Sequence, residues 1–220
     1  MNLNKHLEFI QPSVYENEIH IIGVGAVGSR VAEALVRLGF DNINIYDMDI
    51  VEDANVTNQL YHFKDIGKEK EDALIDQMKA INPQVRIMKN GKYEDQILKG
   101  AVFIAVDSID LRREIVQKNK TNLKIDILFD GRMRLTDAQA YTAIMRDRKA
   151  VQSFLATMQF TDEQDTTPLS VCGTTLSVAP TVMTLANVLV MNFLRYLKQE
   201  EPYWKVFIDM MNMTIIKFSA

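Results

Sequence analysis

The sequence predicts an α/β fold, a doubly wound and mostly parallel sheet with antiparallel strands added in the C-terminal part of the chain. Three observations predict it. Short β-rich runs alternate with helical periodicities from Glu18 onward, the signature of strand–helix–strand units. One run, Ala101–Val106 (AVFIAV), is apolar without alternation, as expected of a strand covered on both faces in a parallel sheet. The last extended runs, within 203–218, have no helix between them and read as a terminal hairpin.

Glu18–Gly23 (EIHIIG) is a β-rich run closed by glycine, and Val27, Val31, Ala34, Leu35 and Leu38 follow at helical spacing until Gly39. Strand, glycine turn and helix open the chain, as in a Rossmann-like sheet. Asn42–Asp47 (NINIYD) predicts a second strand with an acid at its end. Lys68–Ile81 is a charged amphipathic helix stopped by Asn82-Pro83, because the residue before proline avoids the helical region. Gln84–Lys89 gives a third strand, Ala101–Val106 a fourth, and a helix starts near Leu111. Lys124–Phe129 (KIDILF) is a strand ending at Asp130, with Ala138–Met145 as an extended partner. A polar loop near Thr161–Pro168 leads to an uncharged helix within Val171–Leu194, and the hairpin turns around Met211-Asn212. Right-handed crossovers would align the carboxyl ends of the strands along one crevice, where the acidic tips Asp47, Asp107 and Asp130 would meet.

With 220 residues, 47% of them hydrophobic and 25% charged, the chain suits a single domain. The expected subdivisions are an N-terminal arm (1–17), a crossover loop (160–172) and the hairpin (203–218). A net charge of −4 speaks against nucleic-acid binding, which needs a basic face. The single cysteine, Cys172, excludes an intrachain disulfide framework and fits a reducing, cytoplasmic setting, as does a start without the apolar core of a signal peptide. Val171–Leu194 could span a bilayer by length, but Pro180, Asn187 and Asn192 are costly against lipid. It is expected inside the domain or at a subunit contact, not in a membrane. His20 falls inside the first strand as a core or sheet residue, and His6 and His62 lack ligand spacing.

The candidate site begins at Gly23, Gly25 and Gly28. Such glycines serve three mechanical needs: a tight turn, close approach of phosphate to backbone, and close packing of helix on strand. Asp47 lies 24 residues after Gly23 (47 − 23) at a strand end, near the spacing of an acid that binds a ribose hydroxyl. An NAD enzyme and an ATP enzyme both need this much. The following stretch, YDMDIVEDANVTNQLYHFKDIGKEK (Tyr46–Lys70), is unlike most redox domains, since it gathers acids, amides and lysines directly after the second strand.

That stretch resembles the ThiF/MoeB/HesA superfamily, the bacterial relatives of ubiquitin-activating enzymes. Asp47 and Asp49 match D-x-D-x-V, residues Ala54 to Gln59 match S-N-L-N-R-Q, and Asp65, Ile66, Gly67 and Lys70 match D-I-G-x-x-K. AVDSIDLRREI is similar to the A-x-D-N-x-x-x-R segment with Asp107 and Arg112 in register; FDGRMR and PLSVCGTT resemble the post-strand and cysteine-bearing crossover segments. The resemblance covers roughly residues 18–195 and implies ATP-dependent adenylation of a carboxylate, commonly the C-terminal glycine of a small ubiquitin-like or sulfur-carrier protein. It implies Lys70 as the cation on the phosphates, Asn55 and Gln59 as neutral donors, and Asp107 as the ligand of Mg²⁺, a hard ion suited to few carboxylates plus phosphate oxygens. A homodimer through the uncharged helix or the late strands is also implied.

The sequence departs from the pattern at Asn58, where the family carries an arginine, and no arginine precedes Arg30. Losing one such preorganised donor costs about 10²–10³ in rate. Lys64, Lys68, Arg112 and Arg132 are the candidates to stand in for it. Cys172 reads either as a nucleophile that takes the acyl group as a thioester, or as a buried small hydrophobe whose neighbours supply no activating cation. Three readings follow: an adenylating enzyme, a catalytically weakened member that serves as a nucleotide-binding module or partner subunit, and an NAD-dependent oxidoreductase.

Overall fold

The computed structural model describes residues 1–164 and 176–219. Its strands are β1 Ile19–Ile22, β2 Asn42–Tyr46, β3 Arg86–Lys89, β4 Gly100–Ile104, β5 Ile125–Arg134, β6 Asp137–Ile144, β7 Lys205–Asp209 and β8 Thr214–Phe218. They form one sheet in the order β3-β2-β1-β4-β5-β6-β7-β8. Pairing is parallel from β3 to β5 and antiparallel from β5 to β8, the predicted doubly wound arrangement with late antiparallel additions. Helices α1 (Ala26–Leu38), α2 (Lys70–Ile81) and α5 (Ala179–Leu197) pack on one face, α3 (Ile109–Asn119) and α4 (Arg148–Ala156) on the other.

Both faces of the central strands are covered, so every residue of β1 and of β4 is buried, and β4 reads as a continuous apolar run. Phe103 on β4 stacks on Phe129 of β5 at 4.6 Å, and Phe193 of α5 meets both edge-on at 5.9 Å. Aromatic pairs in this geometry add about 0.5–1.5 kcal/mol beyond the area they bury.

Three boundaries and one helix depart from expectation, each for a local reason. α2 starts at Lys70 instead of Lys68, since the Lys68 carbonyl accepts the Val51 N–H at 2.8 Å and ties that residue to the loop after β2. α3 starts at Ile109, two residues before the expected Leu111, because Ser108 caps it by accepting the Leu111 N–H. β5 does not end at Asp130 but continues to Arg134, where Gly131 to Arg134 pair with Ala140 to Asp137 of β6. α4 has no counterpart in the sequence reading; Asp147 caps it by accepting the Lys149 and Ala150 N–H groups, and it buries Val151 and Phe154. The uncharged segment becomes α5 from Ala179, which buries Val182, Leu185, Leu189 and Phe193 and exposes Met183 and Met191. No helix among the described residues is long and apolar enough to cross a membrane.

His20 is a core residue of β1, as expected, 2% exposed and 2.9 Å from the Tyr46 hydroxyl through Nδ1. Burial holds its imidazole below the usual value of 6.5, with Glu18 opposing. Between the folded value and 6.5 the unfolded chain therefore binds more protons than the folded one. Stability rises with pH across that window and is lost as pH falls through it. A His20→Gln variant is expected to show a shallower drop in Tm between about pH 7 and pH 5 than the native chain. Equal slopes in parallel thermal melts would remove His20 from this account.

Candidate functional site

The carboxyl ends of β1, β2, β4 and β5 open onto one cleft of about 1100 Å³, large for a small-molecule site. The three glycines divide the labour that the sequence assigns to them. Gly23 makes the turn: its φ is 86°, and a Cβ there would lie 2.8 Å from the Ala105 carbonyl oxygen. Gly28 lets α1 press on the strand, since a Cβ would sit 1.9 Å from the Gly23 oxygen. Gly25 lines the cleft at the start of α1, where no side chain caps the helix, and a Cβ would meet nothing nearer than Gln59 Nε2 at 3.9 Å. The leading N–H groups of a helix with its positive dipole end, opening onto free space, are suited to an anion.

Asp47 is placed beside this loop by its own backbone partners, accepting the Val24 N–H at 2.8 Å and the Asp49 N–H at 3.0 Å. Asp49 in turn pairs with Lys70, Nζ to Oδ2 2.8 Å, and Lys70 is only 8% exposed while Asp49 is 57% exposed. The Lys70 N–H also donates to the Asp49 carbonyl at 2.9 Å, so the first residue of α2 is fixed to the loop after β2. Asn55 and Gln59 line the same cleft from the turn Asp53–Thr57 and just beyond it. Asn55 Oδ1 accepts the Glu52 N–H at 2.9 Å, and Gln59 Oε1 is buried without a hydrogen-bond partner among the described residues. Asp107, past the end of β4, lines the cleft with an exposed carboxylate that accepts the Ser108 N–H at 2.9 Å.

The cleft thus brings together Gly23, Gly25, Asp47, Asp49, Asn55, Gln59, Lys70 and Asp107, with Gly28 behind the loop. Cys172 lies outside the described residues, as does most of the expected crossover loop. Asp130 does not join Asp47 and Asp107 as an acidic tip. It is fully buried because β5 runs on, and it receives Arg112 Nη1 and Arg132 Nε, the latter at 2.7 Å. The candidate substitutes for the absent arginine are sorted by position: Lys64 and Lys68 line a separate cleft of about 410 Å³ between α1 and α2, whereas Arg112 and Arg132 line the large one. Asn58 lines it as well, and its Nδ2 donates to Ser177 Oγ.

Two supporting residues escaped the sequence reading. Glu71, 3% exposed, accepts the Asn90 N–H at 3.1 Å and the Gly91 N–H at 3.0 Å, and an N–H from Asp47 as well. It ties the tip of β2 to the loop after β3, and burial pushes its carboxyl above the usual range. Tyr61 donates its hydroxyl to the Val24 carbonyl at 2.7 Å, bracing the glycine loop from below. An acid in a helix's first turn and a tyrosine in a loop carry ordinary capping and packing signals, so neither stood out.

Comparison with known proteins gives the family and the fold. The ThiF family model matches residues 8–219. Ubiquitin-like modifier-activating enzyme 5 of Oryza sativa subsp. japonica is 36% identical over 74 residues, 34% of this chain and 18% of that protein. The tRNA threonylcarbamoyladenosine dehydratase of Haemophilus influenzae is 30% identical over 122 residues, 51% of this chain and 46% of that one. Among solved structures, E. coli MccB with AMPCPP and SeMet MccA superposes with a TM-score of 0.70 at 15% identity, over 94% of this chain and 65% of that chain. E. coli MccB with ATP gives 0.67 at 16% identity. The structural likeness concerns the fold, and the chain spans less than half of the two curated relatives.

Proposed function

The chain belongs to the ThiF family, and on that premise we propose that it is an adenylyltransferase that activates a carboxylate with ATP. One observation carries the reading: a single cleft gathers an open glycine cradle at a helix start, a ribose-side acid, amide donors, a lysine and a further acid. The bound ATP of E. coli MccB supports the nucleotide, and the ubiquitin-like activating enzymes and the MccB–MccA pair support a small protein or peptide as acceptor.

The residues fit a triphosphate. The space above Gly25 is what a side chain would fill, and the atom nearest to a Cβ built there is the donor Nε2 of Gln59 at 3.9 Å. Asp47 would hold the ribose, and Lys70 and the first N–H groups of α1 the phosphates. An acceptor carboxylate oxygen would form a bond to the α-phosphorus as the bond to the departing pyrophosphate breaks, leaving an acyl adenylate. Bringing two anions together makes the cations and N–H dipoles the main source of rate. No cluster of three metal-binding acids, histidines or cysteines occurs among the described residues. A magnesium ion would then be held by Asp107 with phosphate oxygens and water, its usual mode, supplying charge neutralisation.

Asn58 favours a second reading, a weakened member retained as a nucleotide-binding or partner subunit, because the family's arginine is replaced there by a neutral side chain turned to Ser177. The nicotinamide reading finds no histidine among the described residues lining the cleft. We also propose a homodimer using the uncharged exposed face of α5 and the cytoplasm as its setting. The decisive test is exchange of labelled pyrophosphate into ATP with Mg²⁺ and a panel of peptides and carrier proteins ending in a free carboxylate. Exchange that depends on the acceptor is expected; tight ATP binding with silence across the panel would support the weakened reading instead.

A further inference from the structure

Arg112 and Arg132 share one acid, and that arithmetic leaves a charge over. Asp130 is fully buried, and Arg112, itself 6% exposed, already balances its charge through Oδ1 while donating also to the Gly131 and Val106 carbonyls, leaving Oδ2 to Arg132. A buried carboxylate with one buried guanidinium is a neutral pair, the arrangement that burial demands. Arg132 is therefore surplus, yet its position is fixed at every nitrogen. Nε donates to Asp130 at 2.7 Å, Nη1 to the Thr157 carbonyl and Nη2 to Thr157 Oγ1, both at 2.9 Å. Its guanidinium also lies 4.4 Å from the centre of the Tyr141 ring. A long cation immobilised at the wall of a cleft, with its charge not needed by the fold, is preorganised for an incoming anion.

The order of the strands says which anion. Asp47 follows β2, the glycine loop follows β1, Asp107 follows β4, and Arg132 stands on β5. Neighbouring strands are about 4.8 Å apart, so Arg132 lies one strand past the acid assigned to the metal, on the side away from the ribose acid. Resting on the adenylation reading above, we propose that Arg132 binds the carboxylate of the acceptor and holds it for attack on the α-phosphorus. It thus acts on the acceptor and does not replace, on the triphosphate, the arginine missing at Asn58.

The test separates carboxylate from phosphate without requiring turnover. A hexapeptide ending in Gly-Gly, as the free acid and as the C-terminal amide, is titrated by NMR into the protein saturated with AMPCPP. The native protein is expected to bind the acid about tenfold or more tightly than the amide, the range of a charge-assisted contact. Arg132→Gln should abolish that preference with ATP affinity unchanged, and Arg132→Lys should keep part of it. Thr157→Ala removes one tether but no charge and should keep most of it, whereas a purely structural role for Arg132 would make Thr157→Ala and Arg132→Gln alike. Retained discrimination in Arg132→Gln, loss of ATP affinity in its place, or a native protein indifferent to the carboxylate would each overturn the assignment. Failure of the native protein to bind ATP or AMPCPP at all would instead strike the adenylation reading itself.

Discussion

Lys70→Met is expected to slow acceptor-dependent pyrophosphate exchange by about 10²–10³-fold, the effect of deleting one preorganised donor from a charge-developing site, while Tm stays near the native value. The two halves of this prediction have separate causes. Lys70 is almost wholly buried at the cleft, where its charge acts in a medium that screens poorly. Its partner Asp49 is more than half exposed, so removing the lysine leaves a hydrated carboxylate and not an orphaned buried one. Loss of such a partner costs the fold at most about 1 kcal/mol. Exchange rates and thermal melts on the same preparation check both halves; a native exchange rate in the variant would remove Lys70 from the phosphate site.

Two glycines a few residues apart are expected to fail in opposite ways. In Gly28→Ala the new methyl would sit 1.9 Å from the Gly23 oxygen and 3.0 Å from its carbonyl carbon, which α1 and β1 can relieve only by moving apart. A loss of about 3 kcal/mol or more is expected, since overpacking against backbone lies at the costly end of such changes. In Gly25→Ala the methyl would enter open space, so urea unfolding should match the native curve while calorimetry shows ATP affinity falling more than tenfold. Similar behaviour in the two variants would mean that the loop serves packing alone.

The fold was largely legible because its signals are local. β4 advertises double coverage through an unbroken apolar run, β1 shows itself as a β-rich run closed by Gly23, and α1 shows its period from Val27 to Leu38. The misplaced elements are those fixed by contacts from elsewhere. β5 is extended past Asp130 by a partner strand, and Asp130 changes from an exposed tip to a buried anchor because two arginines reach it from α3 and from β5 itself. α4 is short and rests on a single aspartate cap and two buried residues, too little periodicity to register. The site was legible as a set of residue types in order, which is how Lys70, Asp107 and Gln59 came to share one cleft. What one chain read alone could not supply was the surplus of charge at Arg132, which exists only once Arg112 is seen to spend its own on Asp130.

The length of β5 has a mechanical consequence. β4 flanks its first half in parallel, β6 runs antiparallel along it from Ile127 to Arg134, and the second half carries Arg132, which the proposed reading places on the acceptor side. One uninterrupted ten-residue strand therefore joins the two halves of the cleft, and hinge motions need a few loop or terminal residues to absorb the change in backbone angles. On the proposed reading, selection of the acceptor would fall to groups set at constant separation along that strand, not to closure of one lobe upon another.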